Sequence, residues 1–463
     1  MKKIFLLLIV IAFYGCNDYL DIEEKGKVIP ESVEDLNLLM ADYTKFIRST
    51  VNVFFTNDEI KLYEDEVSRI FWGPEPLVNG YRWKDFIYDN PDMNDADWNN
   101  FYAQIYISNV VLDKIEEASG TNEDLRKMTK GEALAQRAYA YFMLVNIYGK
   151  HYNSATSLTD LGVPLYLDSD INKLKGRATV EEVYNQIESD LLEALPLLPE
   201  TQEFPYHPSQ GAVHGLLAKL YLYKGAWEES LYHVEEALSI NSFLYDYNDY
   251  DFIPGAPKFA GLLGFPRQTF EHKETLWTKK ADHPFVYGVA VYMSDEHLSL
   301  YEPGDRRLYF TNIDAYFFGP NQHGPVIFSK ENYYKAGVHT PELYLIRAEC
   351  NSRLNQPELA IADLNTLRGK RFNSDAFVPY EDVMTGEQTL DLVLKERRVE
   401  LFLEPWRWFD LKRLNLEPNR QVTLSRTFNG ETYELTPTSN NYIFAIPKRV
   451  INLNPLVEQN PRN

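Results

Sequence analysis

The stretch AKLYLYKGAWEESLYHVEEA, residues 218–237, decides the fold. Its spacing is Ala218, Tyr221, Gly225, Trp227, Ser230, Val234, Ala237. The small residues Ala218, Ser230 and Ala237 let two antiparallel helices approach closely. Gly225 makes the turn, and the aromatic side chains fill the wedge between the helices. This is the spacing of a tetratricopeptide helix-turn-helix unit. A second stretch fits the same template: Ala348, Asn351, Asn355, Pro357, Ala360, Leu364 and Leu367. Two independent fits argue for a mainly α protein built on helix pairs, although the units lie too far apart for a plain tandem array.

Working outward, helical periodicity recurs. Leu134, Ala138, Tyr141, Val145 and Tyr148 step by helical intervals and predict one stripe of an amphipathic helix over residues 132–149, with Gly149 as its breaker. Thr179 and Glu182 form a capping-box pair ahead of Val183, Ile187 and Leu191, so another helix starts there and ends before Pro196 and Pro199. Cys350 lies in an apolar helical stretch and reads as a small buried hydrophobe. Two regions lose the helical period, residues 50–94 and 241–338, and become rich in Tyr, Phe, Gly and Pro. Irregular insertions of that length in a repeat scaffold point to function, so ligand binding is expected there.

The N-terminus sets the compartment. Lys2 and Lys3 precede an unbroken apolar run from Ile4 to Phe13. That run is about half of the ~20 residues needed to span a bilayer, and reads as a secretory signal. Gly15-Cys16 follows directly, as at the end of a bacterial lipoprotein signal, so residues 1–15 are expected to be removed and Cys16 acylated. The pair Phe13-Tyr14 departs from the usual residues before such a cysteine; the alternative is a signal cut elsewhere with Cys16 incidental. The net charge of −22 becomes −24 without Lys2 and Lys3, and no basic cluster stands against it. Nucleic acid is therefore excluded as a partner on electrostatic grounds.

Chemistry-bearing motifs are absent. The nine histidines show no His-Glu-x-x-His spacing, and there is no phosphate-cradling glycine loop or Gly-x-Ser-x-Gly elbow. Glu396 and Glu400, with Arg397 and Arg407 nearby, read as a buried ion-pair network rather than catalytic carboxylates. No enzyme activity or cofactor is expected and no metal-ligand spacing is present, while a divalent ion held by loop carboxylates stays open, since such sites have no fixed spacing. Trp98, Trp227, Trp406 and Trp408 fall in helical segments and are expected in the core. Trp72, Trp83 and Trp277 fall in irregular context and are expected as flat platforms for a ligand. Asn79, Tyr81 and Arg82 would add hydrogen bonds, and Tyr287 and Tyr292 stacking area. Asp58 and Glu59 are weaker candidates for the site, read first as a solvated turn.

Several further segments, in order, resemble the SusD/RagB-like outer-membrane lipoproteins of Bacteroidota. They are the acidic start Asn17-Asp18-Tyr19-Leu20-Asp21, then Trp98 to Tyr102 with Ile105 and Asn109, then Gly131-Glu132-Ala133 with Arg137-Ala138-Tyr139. Gly162-Val163-Pro164-Leu165, Arg347-Ala348-Glu349 with Leu364-Asn365 and Arg368, and Glu396 to Leu401 running into Trp406 to Arg413 follow; Ile446-Pro447 and Gln459-Asn460-Pro461 close the series. The resemblance implies one SusD-like domain over residues 16–463, with about four tetratricopeptide-like helix pairs and an irregular ligand-binding half. It implies a lipid-anchored protein facing the cell exterior, which binds a glycan and delivers it to a SusC-like TonB-dependent transporter barrel. The alternatives are a peptide-capturing RagB-like lipoprotein and a tetratricopeptide protein-interaction scaffold.

Overall fold

A computed structural model describes residues 30–68, 75–88, 90–266, 271–281, 291–313, 323–327, 334–381 and 384–462. Cys16, the acidic start, Trp72 and Tyr287 lie outside the described residues.

Ten helices of eight or more residues make the scaffold among the described residues. They are α1 (Val33–Met40), α2 (Ala96–Lys114), α3 (Glu123–Tyr148), α4 (Val180–Ala194), α5 (Gln210–Lys224), α6 (Trp227–Ile240), α7 (Thr340–Arg353), α8 (Pro357–Gly369), α9 (Gly386–Glu400) and α10 (Trp406–Leu414). The protein is mainly α, as expected. The stretch at 218–237 lies in α5 and α6, joined at a Gly225 whose φ of 74° is the left-handed conformation that glycine adopts without a Cβ penalty. The Ser230 hydroxyl donates to the Ala218 carbonyl at 2.8 Å, tying the pair where the small residues meet. α7 and α8 form a second packed helix pair, with Pro357 opening α8, where its missing N–H removes no helical hydrogen bond. The Arg347 guanidinium donates two bonds to Asp363 across this pair, at 2.9 and 2.6 Å.

The capping box holds: Glu182 N–H donates to the Thr179 hydroxyl at 3.2 Å, and Thr179 N–H to the Glu182 carboxylate at 2.8 Å. The helix read over 132–149 differs from expectation. α3 begins at Glu123, and from Gly131 onward nearly every side chain is buried on all faces. It packs against α1, α2 and α4 and runs through the centre, so its apolar stripe is only the most regular part of a fully enclosed surface. Gly149 ends it in an extended conformation, with its N–H on the Val145 carbonyl. Arg137 reaches from α3 to Asp190 of α4 with two bonds, 2.8 and 2.7 Å. Truncating one partner would strand a buried charge, at a cost of about 3–5 kcal/mol.

Trp98, Trp406 and Trp408 are buried, as expected. Trp227 is only half-buried, because it sits in the first turn of α6 beneath the Arg353 guanidinium, 4.5 Å from its ring centre. The ionic network at the last helices is present and extensive. Arg307 and Arg368 both reach Glu396, Arg371 bridges Glu274 and Glu400, and Arg397 pairs with Asp410 and Glu342. Arg407 leaves that group and pairs with Asp58.

Very short antiparallel strands organise the irregular regions, and the first of them joins the two regions to each other. Ile60–Lys61 pairs with Tyr292–Met293, and Asn312–Ile313 with Val326–Ile327. Thr275–Trp277 pairs with Val338–His339, and Lys280–Ala281 with Tyr334–Lys335. A longer hairpin, Leu424–Phe428 with Glu431–Leu435, closes through Asn429 and Gly430, both at positive φ. Among the described residues no helix is long and apolar enough to cross a membrane.

Candidate functional site

The irregular regions, the Leu424–Phe428 strand and the turn after Ser294 enclose a cleft of about 390 Å³. Its walls are built from Tyr81 and Trp83. The helix Glu75–Tyr81 ends there, and the chain turns through a Trp83 held at φ 50°. The turn is secured locally: Lys84 N–H donates to the Asn79 carbonyl, and the Asn79 amide to the Ile87 carbonyl, both at 3.0 Å. The Trp83 indole N–H donates to the Thr56 carbonyl at 2.7 Å, and the Tyr81 hydroxyl accepts from Leu62 N–H at 3.2 Å.

Arg426, from the hairpin, lies against both rings, 4.2 Å from the Tyr81 centroid and 4.0 Å from that of Trp83. It donates to the Asn57 carbonyl at 2.7 Å. Burial pulls its pKa down to about 10. Trp83 is 6 % and Tyr81 2 % exposed, so these aromatics line the cleft under a guanidinium instead of presenting bare faces. A cation on an aromatic face contributes on the order of 1–2 kcal/mol when desolvated, enough to hold such a lid.

Deeper in the wall, Asp58 accepts two bonds from Arg407, 2.7 and 2.6 Å, and one from Arg398 at 3.3 Å. Burial alone would raise its pKa; the two guanidiniums outweigh that and hold the carboxyl well below the usual range. Its neighbour Glu59 is pushed up to about 8, chiefly by burial. The His297 imidazole, 3.7 Å from Glu59, is held neutral by its own burial. Asp58 and Glu59 are thus parts of the buried wall, not a solvated turn. They enter it because the strand Ile60–Lys61 that follows them pairs inward.

The rim is polar and open. Asp295 pairs with Lys61 at 3.0 Å, and Glu296 with Arg398 at 2.9 Å. Thr423, Ser425 and Thr427 add exposed residues with hydroxyls. Carboxylates and hydroxyls above a partly aromatic wall suit a neutral, hydroxyl-rich ligand, whose groups need partners of both hydrogen-bonding kinds.

Of the expected site residues, Tyr81 and Trp83 line this cleft. Asn79 and the half-buried Arg82 support the turn beneath them, and Arg82 also donates to Asn79 at 3.4 Å. Trp277 is fully buried on the scaffold side, 5.4 Å from the Tyr139 ring and beneath the Lys279 ammonium. Its strand is pinned to Val338–His339 next to α5, which turns the indole inward, so it offers no platform. Tyr292 is 3 % exposed and packs edge-on against Tyr63, so it adds no stacking area to the surface. Arg426, Lys61, Asp295 and Glu296 also line the cleft, and sequence reasoning does not place them there. The alternating pentapeptides around Asn429-Gly430 are a hairpin signal that could place Arg426 beside an edge.

A family model described as starch-binding associating with outer membrane matches residues 18–222, and a model of the SusD family matches residues 340–462. The chain is similar to SusD-like protein P38 of Formosa agariphila, 23% identical over 431 residues, spanning 78% of each chain. SusD-like protein P2 of the same organism is 23% identical over 381 residues, 71% of this chain and 73% of that one. Among solved structures, a SusD superfamily protein from Bacteroides thetaiotaomicron superposes with a TM-score of 0.73 at 20% identity. That superposition covers 93% of this chain and all of the other. A SusD-like carbohydrate binding protein from Bacteroides vulgatus gives a TM-score of 0.68 at 19% identity, covering 93% and 98%. With the two family models together matching residues 18–222 and 340–462, and SusD-like curated relatives spanning over two thirds of its length, the chain belongs to the SusD/RagB-like family.

Proposed function

We propose that the protein is a cell-surface lipoprotein, anchored through Cys16, that binds oligosaccharide in the cleft lined by Arg426. It would deliver that ligand to a SusC-like TonB-dependent transporter, with residues 16–463 acting as one domain. The supporting observation is the cleft itself: Lys61, Asp295, Glu296 and the hydroxyl residues of the hairpin rim it, and Tyr81 and Trp83 line its wall. A related protein of the same fold is described as carbohydrate binding. The role is read as binding rather than catalysis: the exposed rim carboxylates, Asp295 and Glu296, are each engaged by a cation, and the protonated Glu59 beside ionised Asp58 is 1 % exposed, shut inside the wall. A glycosidase needs one carboxyl kept protonated and one ionised at the reacting bond.

The test is a glycan and peptide screen on the chain from residue 17, repeated with Asp295→Ala/Glu296→Ala and with Trp83→Ala. Binding of one glycan class is expected, weakened about tenfold or more in the carboxylate variant, which should melt like the parent because both residues are exposed. Unchanged binding in that variant removes the cleft from the proposal. Binding of peptides alone overturns the glycan reading.

A further inference from the structure

We infer that Asp65, Glu66 and His323 form a site for one divalent transition-metal ion, Zn²⁺ by preference, beside the cleft. One ligand atom from each of the three residues lies within 4.8 Å of the others. The His323 Nε2 is 2.9 and 3.0 Å from the two Asp65 oxygens. Two ligands on a common ion, each at about 2.0–2.2 Å, stand roughly 3–3.5 Å apart, so this edge is already at coordinating separation. The imidazole plane is held by stacking on Tyr63 at 3.7 Å with the planes 4° apart, and within that plane Nε2 faces the Asp65 carboxylate.

A second observation comes from Tyr292. It packs edge-on to Tyr63 at 5.0 Å and to His323 at 5.8 Å. Its hydroxyl is buried near the His323 main chain without a well-formed hydrogen bond, within electrostatic reach of Glu66 and Asp65. A buried donor left in that position fits the outer shell of a metal site, where hydroxyls orient ligating carboxylates. One imidazole with two carboxylates selects a borderline ion such as Zn²⁺. Ca²⁺ prefers six to eight oxygens, and Mg²⁺ prefers oxygen with retained water.

The ion would join segments far apart in sequence. Asp65 and Glu66 lie on the short helix Glu64–Val67, and His323 precedes the strand Val326–Ile327. Both segments flank Tyr292–Met293, through the pairing with Ile60–Lys61 and through Ile327 N–H on the Val291 carbonyl. Lys61 lines the cleft, so metal binding would brace that wall without occupying it.

The test uses the chain from residue 17, stripped with EDTA and titrated with ZnCl₂, CaCl₂ and MgCl₂ in a calorimeter, with thermal melts alongside. One Zn²⁺ per chain is expected, with a raised melting temperature, because a ligand bound only by the folded state stabilises it. Zn²⁺ affinity should fall about tenfold or more in His323→Ala and in Asp65→Asn, while metal-free His323→Ala melts like the metal-free parent. Absence of saturable Zn²⁺ binding, a smaller loss in His323→Ala, or tighter Ca²⁺ than Zn²⁺ binding would overturn the site. Should Asp65→Asn fail to fold, His323→Ala and His323→Gln decide the matter, and their metal-free melts report folding separately.

Discussion

Glu59 is 1 % exposed, and both of its carboxylate oxygens lack a hydrogen-bond partner. Burial raises its pKa to about 8 against an ordinary 4.5. Below pH 4.5 the carboxyl is protonated in both folded and unfolded chains. Between 4.5 and 8 the unfolded chain releases the proton that the folded protein keeps, so this residue makes stability fall as pH rises. Glu59→Gln should therefore raise the melting temperature at pH 8 and change it little at pH 5. Melts of parent and variant at the two pH values check this, and an equal shift at both would disprove the buried acid. Nothing in the sequence announces it. Asp58-Glu59 reads as an ordinary polar turn, because the guanidiniums of Arg398 and Arg407 that distinguish the two carboxyls lie some 340 residues away. Trp83 and Trp277 look alike in sequence for the same reason. Both sit in irregular context, and only the distant pairing partner, Val338–His339 for Trp277, decides which indole reaches the cleft and which the core.

At the scale of elements, local signals carry well. The Thr179–Glu182 capping box and the α5–α6 turn depend on residues within a few positions of one another. Gly225 gives a direct check. Its φ of 74° disfavours any L side chain, while an added Cβ would meet only the Trp227 ring at 3.6 Å, an ordinary contact. Gly225→Ala should thus destabilise by about 1 kcal/mol through backbone strain alone, read as a lower urea midpoint with unchanged slope. A loss of several kcal/mol would mean that the helix pair itself had shifted. The two-residue strands of the irregular regions are not legible in the sequence. Each is too short for an alternating pattern to register, and partners lie from about a dozen to over two hundred residues off.

For the whole molecule, the acidic excess governs which ligands approach. A net charge of −22 repels polyanions over distances of about 8 Å at physiological salt. The protein should pass unretained through heparin at about 0.15 M salt, and binding of a neutral glycan should change little with added salt. Retention would reveal a basic patch that composition conceals. The charge, the helical scaffold and the family are all legible in the amino-acid sequence; the cleft is not. Its lining comes from four separate places: residues 58–61, residues 81–83, the turn at 294–296 and the strand at 423–427. If this cleft holds the ligand as proposed, ligand preference is not modular. Transplanting one loop into a relative would bring a single wall without the guanidinium or carboxylates that face it. Under the proposed role, divergence toward a new ligand would proceed by coordinated exchanges at all four places, or by change at the open rim alone.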